Sequence, residues 1–317
     1  MKKGAVITNV APLPLAPIVA DKPWGSVCRS SFNVPSRSEG VRWGEIWLAS
    51  EDFGLVSKVA SGPRAGQSLA AVRAEWGSLL TGEDDQGRSR QTLTLSFRLE
   101  RTGETPGPVR AIGGDEFWYV LEAGPDSWLG AGTSREDGPW GQRLNRLTVE
   151  AGDRFLVPQG LVRCQGPSAT ILKVLPSGSM VQTVHDWDRP ADPWDFTAPP
   201  WPVPIRNVPL PTLQTVCSGR DRILLRGRGY TATLVNTGFF TATGRALSVI
   251  CPCRGRGSIE TSGLKETVRL HPGGAVVIPA GIGRYSIKSS TLVSYLLFEL
   301  DPARPLGGRD PRRGRQP

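Results

Sequence analysis

Two histidines, His185 and His271, are the only imidazoles in the 317 residues, and five cysteines (Cys28, Cys164, Cys217, Cys251 and Cys253) are the only thiols. These are the side chains from which zinc sites are commonly built. His185 and His271 stand far apart in sequence and each reads as a surface or packed histidine. Cys251-Pro252-Cys253 is one residue tighter than a C-x-x-C pair, and a single such pair does not make a metal site. An odd number of irregularly spaced cysteines gives no disulfide framework. Basic groups are far more abundant: 38 Lys and Arg against 29 Asp and Glu, a net charge of +9. The balance is uneven, with 9 basic against 13 acidic residues over 101–200 and 12 against 4 over 201–300. A basic half can attract phosphates or acidic partners, although a solvated Arg-rich surface is the plainer reading. Nucleic acid is not an expected partner, because no strand pair interleaves aromatics with Lys or Arg.

The elements that would position such groups are mostly strands. Gly (38) and Pro (28) are both abundant, so turns are frequent and elements short. One segment has helical spacing: over Ser68 to Leu80, the residues Leu69, Val72, Trp76, Leu79 and Leu80 share a face. Strand signals follow at Gln91–Leu99, which alternates polar and apolar residues, and at Phe117–Leu121, Arg146–Val149, Arg154–Val157 and Thr170–Val174. A second series covers Ile223–Leu225, Tyr230–Val235, Ala246–Cys251, Ser258–Thr261, Thr267–Leu270, Ala275–Ile278 and Leu292–Leu297.

Between the two series lies Asp192–Pro211, too rich in proline to continue a helix or a central strand. The two series share a pattern. Gly152-Asp-Arg-Phe-Leu-Val-Pro158-Gln-Gly160 and Gly273-Gly-Ala-Val-Val-Ile-Pro279-Ala-Gly281 both read G, five residues, P, one residue, G. Repetition of turn, apolar strand and turn implies two β-barrels or jelly rolls of one architecture. The expected organisation is an N-terminal domain over 1–191 carrying the helix near 68–80, a linker over 192–211, a C-terminal domain over 212–302, and a disordered basic tail over 303–317. Asn9 and the prolines at 12, 14 and 17 break the helix a signal peptide needs. The start therefore reads as a first extended strand and the chain as cytoplasmic. No apolar run is long enough to span a membrane.

Five motifs stand in order: Lys22-Pro23-Trp24-Gly25-Ser26, Gly44-Glu45-Ile46-Trp47-Leu48-Ala49-Ser50, Glu116-Phe-Trp-Tyr-Val-Leu-Glu122-Ala, Val184-His185-Asp186-Trp187-Asp188-Arg189, and Val277-Ile-Pro279-Ala-Gly281-Ile-Gly283. In that order, and with the repeated G-x5-P-x-G turn, they resemble the short bacterial type I mannose-6-phosphate isomerases over roughly residues 11–300. The resemblance implies an all-β chain of two tandem cupin (jelly-roll) domains with a short helical segment in the N-terminal half. It also implies the interconversion of mannose 6-phosphate and fructose 6-phosphate on a zinc ion that polarises the sugar's oxygens. The family's ligands come from a Gln-x-His-Pro strand, from the Glu of a Glu-x-Trp-Tyr strand, and from a His just after the P-x-G turn.

Glu116 matches the ligand Glu. The position after the P-x-G turn is Arg163, and no His stands between Gln91 and Glu116. A guanidinium cannot bind zinc, but it can pair with a carboxylate, bidentately at best. The expectation is therefore a Glu116–Arg163 ion pair at the former metal position. With it goes an isomerase-like protein of carbohydrate metabolism that lacks the metal and the turnover, and keeps a sugar or sugar-phosphate ligand. Arg110, Arg163 and Arg189 are the anion-binding candidates, with Arg110 and Arg163 at the barrel mouth. Glu45, Trp24 and Trp47 read as structural, and Arg284, which follows the second P-x-G turn, likewise. One alternative is an active isomerase whose zinc is held by Glu116 with Cys164, Asp115 or His185. A second is a scaffold protein using the basic C-terminal half.

Overall fold

The structure, a computed structural model, describes residues 10–26, 42–52, 54–83, 87, 93–133, 139–179, 181–187, 221–227, 229–244, 246–262 and 267–300. The linker over 192–211, the tail over 303–317 and Arg189 lie outside the described residues. The protein is mostly β. Among the described residues no helix is long and apolar enough to cross a membrane.

Two compact units are present. The first takes residues up to Ala16, Lys58–Thr94, and those from Ser218 onward. Its sheet centres on the long antiparallel pair Tyr230–Thr243 and Arg284–Leu300, and it adds Ser248–Arg254 and Ala275–Ile278. The core includes Ile250, Ile278, Ile287, Val293 and Tyr295. Each such side chain withdrawn from water contributes about 1.5–3 kcal/mol.

This partition corrects the sequential domains in one respect. The strand Leu13–Ala16 pairs with Ala275–Ile278, with Leu13 opposite Val277, and the helical segment belongs to the same unit. The apolar strand Ala275–Ile278 is buried along its length, so it takes a neighbour on each side. Strand order in sequence does not specify that second neighbour.

The helical segment also differs from one continuous helix. Ser68 caps Leu69–Trp76 by accepting a hydrogen bond from the Ala71 N–H at 3.2 Å. Gly77 then turns to φ +53°, and a second short helix, Ser78–Thr81, follows. Helical spacing survives the interruption, so Leu69, Val72, Trp76 and Leu80 are all buried.

The second unit comprises Pro17–Ser57 and Leu95–Cys217. A six-stranded antiparallel sheet runs in the order Arg154–Val157, Glu116–Ala123, Ala169–Pro176, Leu95–Arg101, Trp43–Ala49, Ile18–Ser26. A five-stranded sheet runs Leu144–Thr148, Trp128–Thr133, Arg163–Gln165, Val109–Ile112, Val181–His185. The repeated turn appears once in each unit. Gly152 (φ +98°) and Gly273 (φ +83°) both adopt the left-handed backbone that glycine allows.

Candidate functional site

The strand Leu95–Arg101 explains how a polar site forms inside this unit. Leu95, Phe97 and Leu99 alternate with Ser96, Arg98 and Glu100, and all six are buried. An alternating strand on an open sheet would leave its polar face in water. Here Arg98 and Glu100 instead meet polar residues of neighbouring strands. Register places Arg98 between Trp47 and Lys173, and Lys173 beside Trp118. Glu100 lies opposite Glu45.

The facing sheet supplies two arginines. From the strand Arg163–Gln165, the Arg163 Nε lies 2.7 Å from the Glu116 Oε2. Arg163 is 2% and Glu116 0% exposed, so this pair is fully withdrawn from water. The contact is one-pronged rather than bidentate, because the Arg163 Nη1 donates to the Leu161 carbonyl at 3.0 Å. The Trp118 indole N–H donates to the same Glu116 oxygen at 2.6 Å. From the strand Val109–Ile112, the Arg110 Nη1 reaches the Glu45 Oε1 at 2.9 Å and the Glu100 Oε2 at 3.7 Å. Lys173 Nζ lies 2.7 Å from the Glu100 Oε1, and the Arg98 Nη2 lies 3.4 Å from Oε2.

Aromatic faces line the same network. Lys173 stands 4.1 Å over Trp118, Arg98 5.2 Å over Trp47, and Arg110 5.0 Å over Trp24. Such contacts stabilise desolvated cations by up to about 2 kcal/mol each. Trp24, Trp47 and Glu45, read from sequence as structural, thus hold the site's cations.

The carboxylates are kept ionised. Burial alone would raise the pKa of Glu45, but Arg98, Arg110 and Lys22 outweigh it and bring it down to about 2. Glu116 is likewise buried, yet Arg163, Arg98 and Lys173 hold it below the ordinary carboxylate value. Glu100 is lowered in the same way, by Lys173, Arg98 and Arg110 against its burial. Burial pushes the Lys173 ammonium and the Arg163 guanidinium below their usual values, with their carboxylate partners opposing.

Arg110 and Arg163 do not sit at an exposed barrel mouth, as the sequence suggests. They are 5% and 2% exposed, and both are engaged with carboxylates. Sequence reading missed Arg98, Glu100 and Lys173. The available signal was Arg98 and Glu100 two residues apart, on one face of a strand whose other face is Leu95, Phe97 and Leu99.

The other groups considered as zinc ligands point elsewhere. Strand alternation turns Cys164 away from its neighbour Arg163. Its thiol donates to the Gly107 carbonyl at 3.1 Å and it packs with Val109, Leu144 and Val162. Asp115 Oδ1 accepts from the Gln159 N–H at 2.8 Å. His185 makes an edge contact with Trp187 at 5.1 Å. His271 belongs to the other unit, its Nδ1 3.2 Å from the Pro272 carbonyl. Among the described residues no three His, Cys, Asp or Glu side chains converge as a metal site. Around Glu116 the neighbours are cations, which repel a dication instead of binding it. This donor set does not fit zinc.

The second unit is a curled β unit of two facing antiparallel sheets with a polar interior, and the solved structures that share the chain's cupin-type fold include phosphomannose isomerases. The mannose 6-phosphate isomerase of Bacillus subtilis superposes with a TM-score of 0.74 at 17% identity, covering 92% of this chain and 100% of that one. A zinc-bound mannose 6-phosphate isomerase superposes with a TM-score of 0.68 at 10% identity, over the same shares. Sequence similarity agrees. The mannose-6-phosphate isomerase of Streptococcus mutans is 28% identical over 185 residues, 51% of this chain and 55% of its own length. ManA of Bacillus subtilis is 24% identical over 203 residues, 56% of this chain and 62% of its own. The matches thus span less than two thirds of these curated relatives. No protein-family model matches the chain. The chain is thus similar in part of its sequence, and in fold, to mannose-6-phosphate isomerases, the family its sequence motifs resemble.

Proposed function

We propose that this protein is a cytoplasmic, metal-free relative of mannose-6-phosphate isomerase that no longer interconverts aldose and ketose phosphates. It acts as a binding protein whose ligand is a sugar or sugar phosphate. The observation that carries this reading is the 2.7 Å contact between the Arg163 Nε and the Glu116 Oε2. Glu116 is the one residue of the family's ligand pattern present here, and its carboxylate is neutralised by a guanidinium. Isomerisation needs a Lewis acid, or an equivalent, to hold charge on the enediol oxygens, and a carboxylate already paired to arginine supplies neither a metal ligand nor an available base.

The test is elemental analysis of tag-free protein, with an isomerase assay on the same sample before and after zinc addition. The expected result is substoichiometric metal and no turnover of mannose 6-phosphate. Stoichiometric zinc together with turnover would overturn the reading and make the rearranged active isomerase the correct one.

A further inference from the structure

One internal space of the second unit is bordered by Arg98, Glu100, Glu116, Arg163 and Gln165, among others. Each of these five residues is at most 3% exposed. Each also keeps a polar atom that makes no hydrogen bond among the described residues. The Arg98 Nε and the Arg163 Nη2 are donors, and the Glu100 Oε2, the Glu116 Oε1 and the Gln165 Oε1 are acceptors. The bonds around them explain which atoms are left. Arg163 engages Glu116 through Nε and the Leu161 carbonyl through Nη1, so Nη2 remains. The Glu116 Oε2 accepts from both Arg163 and the Trp118 N–H, so Oε1 remains. The Gln165 Nε2 donates to the Ala169 carbonyl at 2.7 Å, which fixes Oε1 as the opposite end of the amide.

Buried polar groups left unpaired are costly, so these atoms call for a common partner. Arginine N–H groups only donate, whereas carboxylate and amide oxygens only accept. An anion would satisfy the two arginines but would face two carboxylates. A metal ion would satisfy the carboxylates but would face two guanidinium groups. What fits both must accept and donate at once. The space has room for about one water, which accepts twice and donates twice.

We propose that this space is a binding site for one ordered water, which accepts from the Arg98 Nε and the Arg163 Nη2 and donates to the Glu116 Oε1 and the Gln165 Oε1. The Glu100 Oε2 needs it least, having the Arg98 Nη2 at 3.4 Å. Arg98 and Glu116 stand on the six-stranded sheet, and Arg163 and Gln165 on the five-stranded one. The water therefore takes one donor and one acceptor from each sheet and ties the two together inside the barrel. It also joins the Arg163–Glu116 pair to the charges of the strand Leu95–Arg101. This assignment rests on the metal-free reading above and deepens it, naming what stands beside Glu116 in place of a metal.

The test is a crystal structure of the full chain at a resolution that shows ordered water, with data also taken at the zinc edge. One peak is expected, about 2.7–3.2 Å from each of the four named atoms and without anomalous signal. In solution, magnetic relaxation dispersion of the solvent water counts long-lived internal waters. Gln165→Met removes one of the two acceptors, and the dispersion amplitude is expected to fall by the share of one water. An unchanged amplitude in that variant overturns the proposal. So does a wild-type crystal in which the space holds nothing or any ion, or in which Arg98 and Arg163 bond directly to the Glu116 Oε1. If Gln165→Met does not fold, the wild-type crystal decides by itself. The zinc-edge data separate the two levels. A zinc peak about 2.0–2.2 Å from Glu116 sinks the metal-free reading and the water with it. Neither zinc nor water in the space sinks the water site alone.

Discussion

Lys173 Nζ lies 2.7 Å from the Glu100 Oε1 and 4.1 Å from the centre of the Trp118 ring, between a carboxylate and a π face. Glu100 has further cationic neighbours in Arg98 at 3.4 Å and Arg110 at 3.7 Å. Glu116, by contrast, has among the described residues one ion-pair contact, to Arg163, plus the Trp118 N–H. Redundancy around one carboxylate and its lack around the other predict a rank order of stability. Lys173→Met is expected to cost distinctly less than Arg163→Met in urea unfolding at pH 7. Equal losses would show that the network does not distribute its charge as these distances imply.

Removing Arg163 alone strands a fully buried carboxylate, and Arg163→Met is expected to destabilise by about 3–5 kcal/mol. Glu116→Gln in the same chain removes the stranded charge and keeps an acceptor for the Trp118 N–H. The double variant should therefore recover most of the loss. A double-mutant cycle by chemical denaturation measures the coupling. A coupling near zero would mean that the 2.7 Å contact is not energetically an ion pair.

What could be read from the sequence follows physical lines. Gly and Pro punctuation placed most strands within a few residues, because turn chemistry is local. Thus Arg154–Val157 and Ala275–Ile278 stand where the repeated turn places them. The proximity of Arg163 to Glu116 followed from the family motif they share. Arg98, Glu100 and Lys173 were hidden because alternation reveals that a strand has two faces, but not which face is wet. The joining of Leu13–Ala16 and the helical segment to the C-terminal strands was also hidden, since strand pairing across more than 200 residues leaves no local periodic signal.

Acid should expose the carboxylate network. Glu45 is held at about 2, against an ordinary value of 4.5, and Glu100 and Glu116 are also lowered. Lowered folded-state values mean that the stabilisation is fully present above about 4.5. Below that, the unfolded chain takes up protons that the folded chain refuses, so stability falls as pH drops toward 2. Unfolding free energies at pH 7, 4 and 3 should decline in that order. Glu45→Gln should flatten the decline between pH 4 and 3; an unchanged slope would remove Glu45 from the account.

The thiols of the first unit should be inert. Burial raises the Cys251 thiol well above its usual value and pushes Cys253 up to about 12. Thiolate is the reacting species, so at pH 8 almost none is available at either position. Iodoacetamide labelling at pH 8 with peptide mass mapping should leave Cys251 and Cys253 unmodified in the folded protein and label both in urea. Rapid native labelling of Cys253 would mean that its strand opens readily.

Helix and turn meet at Gly281 in a way a single methyl group can test. A Cβ there would lie 2.9 Å from the Leu79 Cδ2 and 3.1 Å from both its Cα and its carbonyl oxygen. The side-chain carbon could rotate away, but the backbone atoms belong to the short helix Ser78–Thr81, whose Leu80 is buried. Gly281→Ala must therefore push the helix itself, at about 1–3 kcal/mol. Leu79→Ala relieves only the side-chain contact, so adding it to Gly281→Ala should restore less than half of the loss. Full restoration by Leu79→Ala would place the close approach in the leucine side chain and not in the helix backbone. Thermal unfolding of the three variants distinguishes the two.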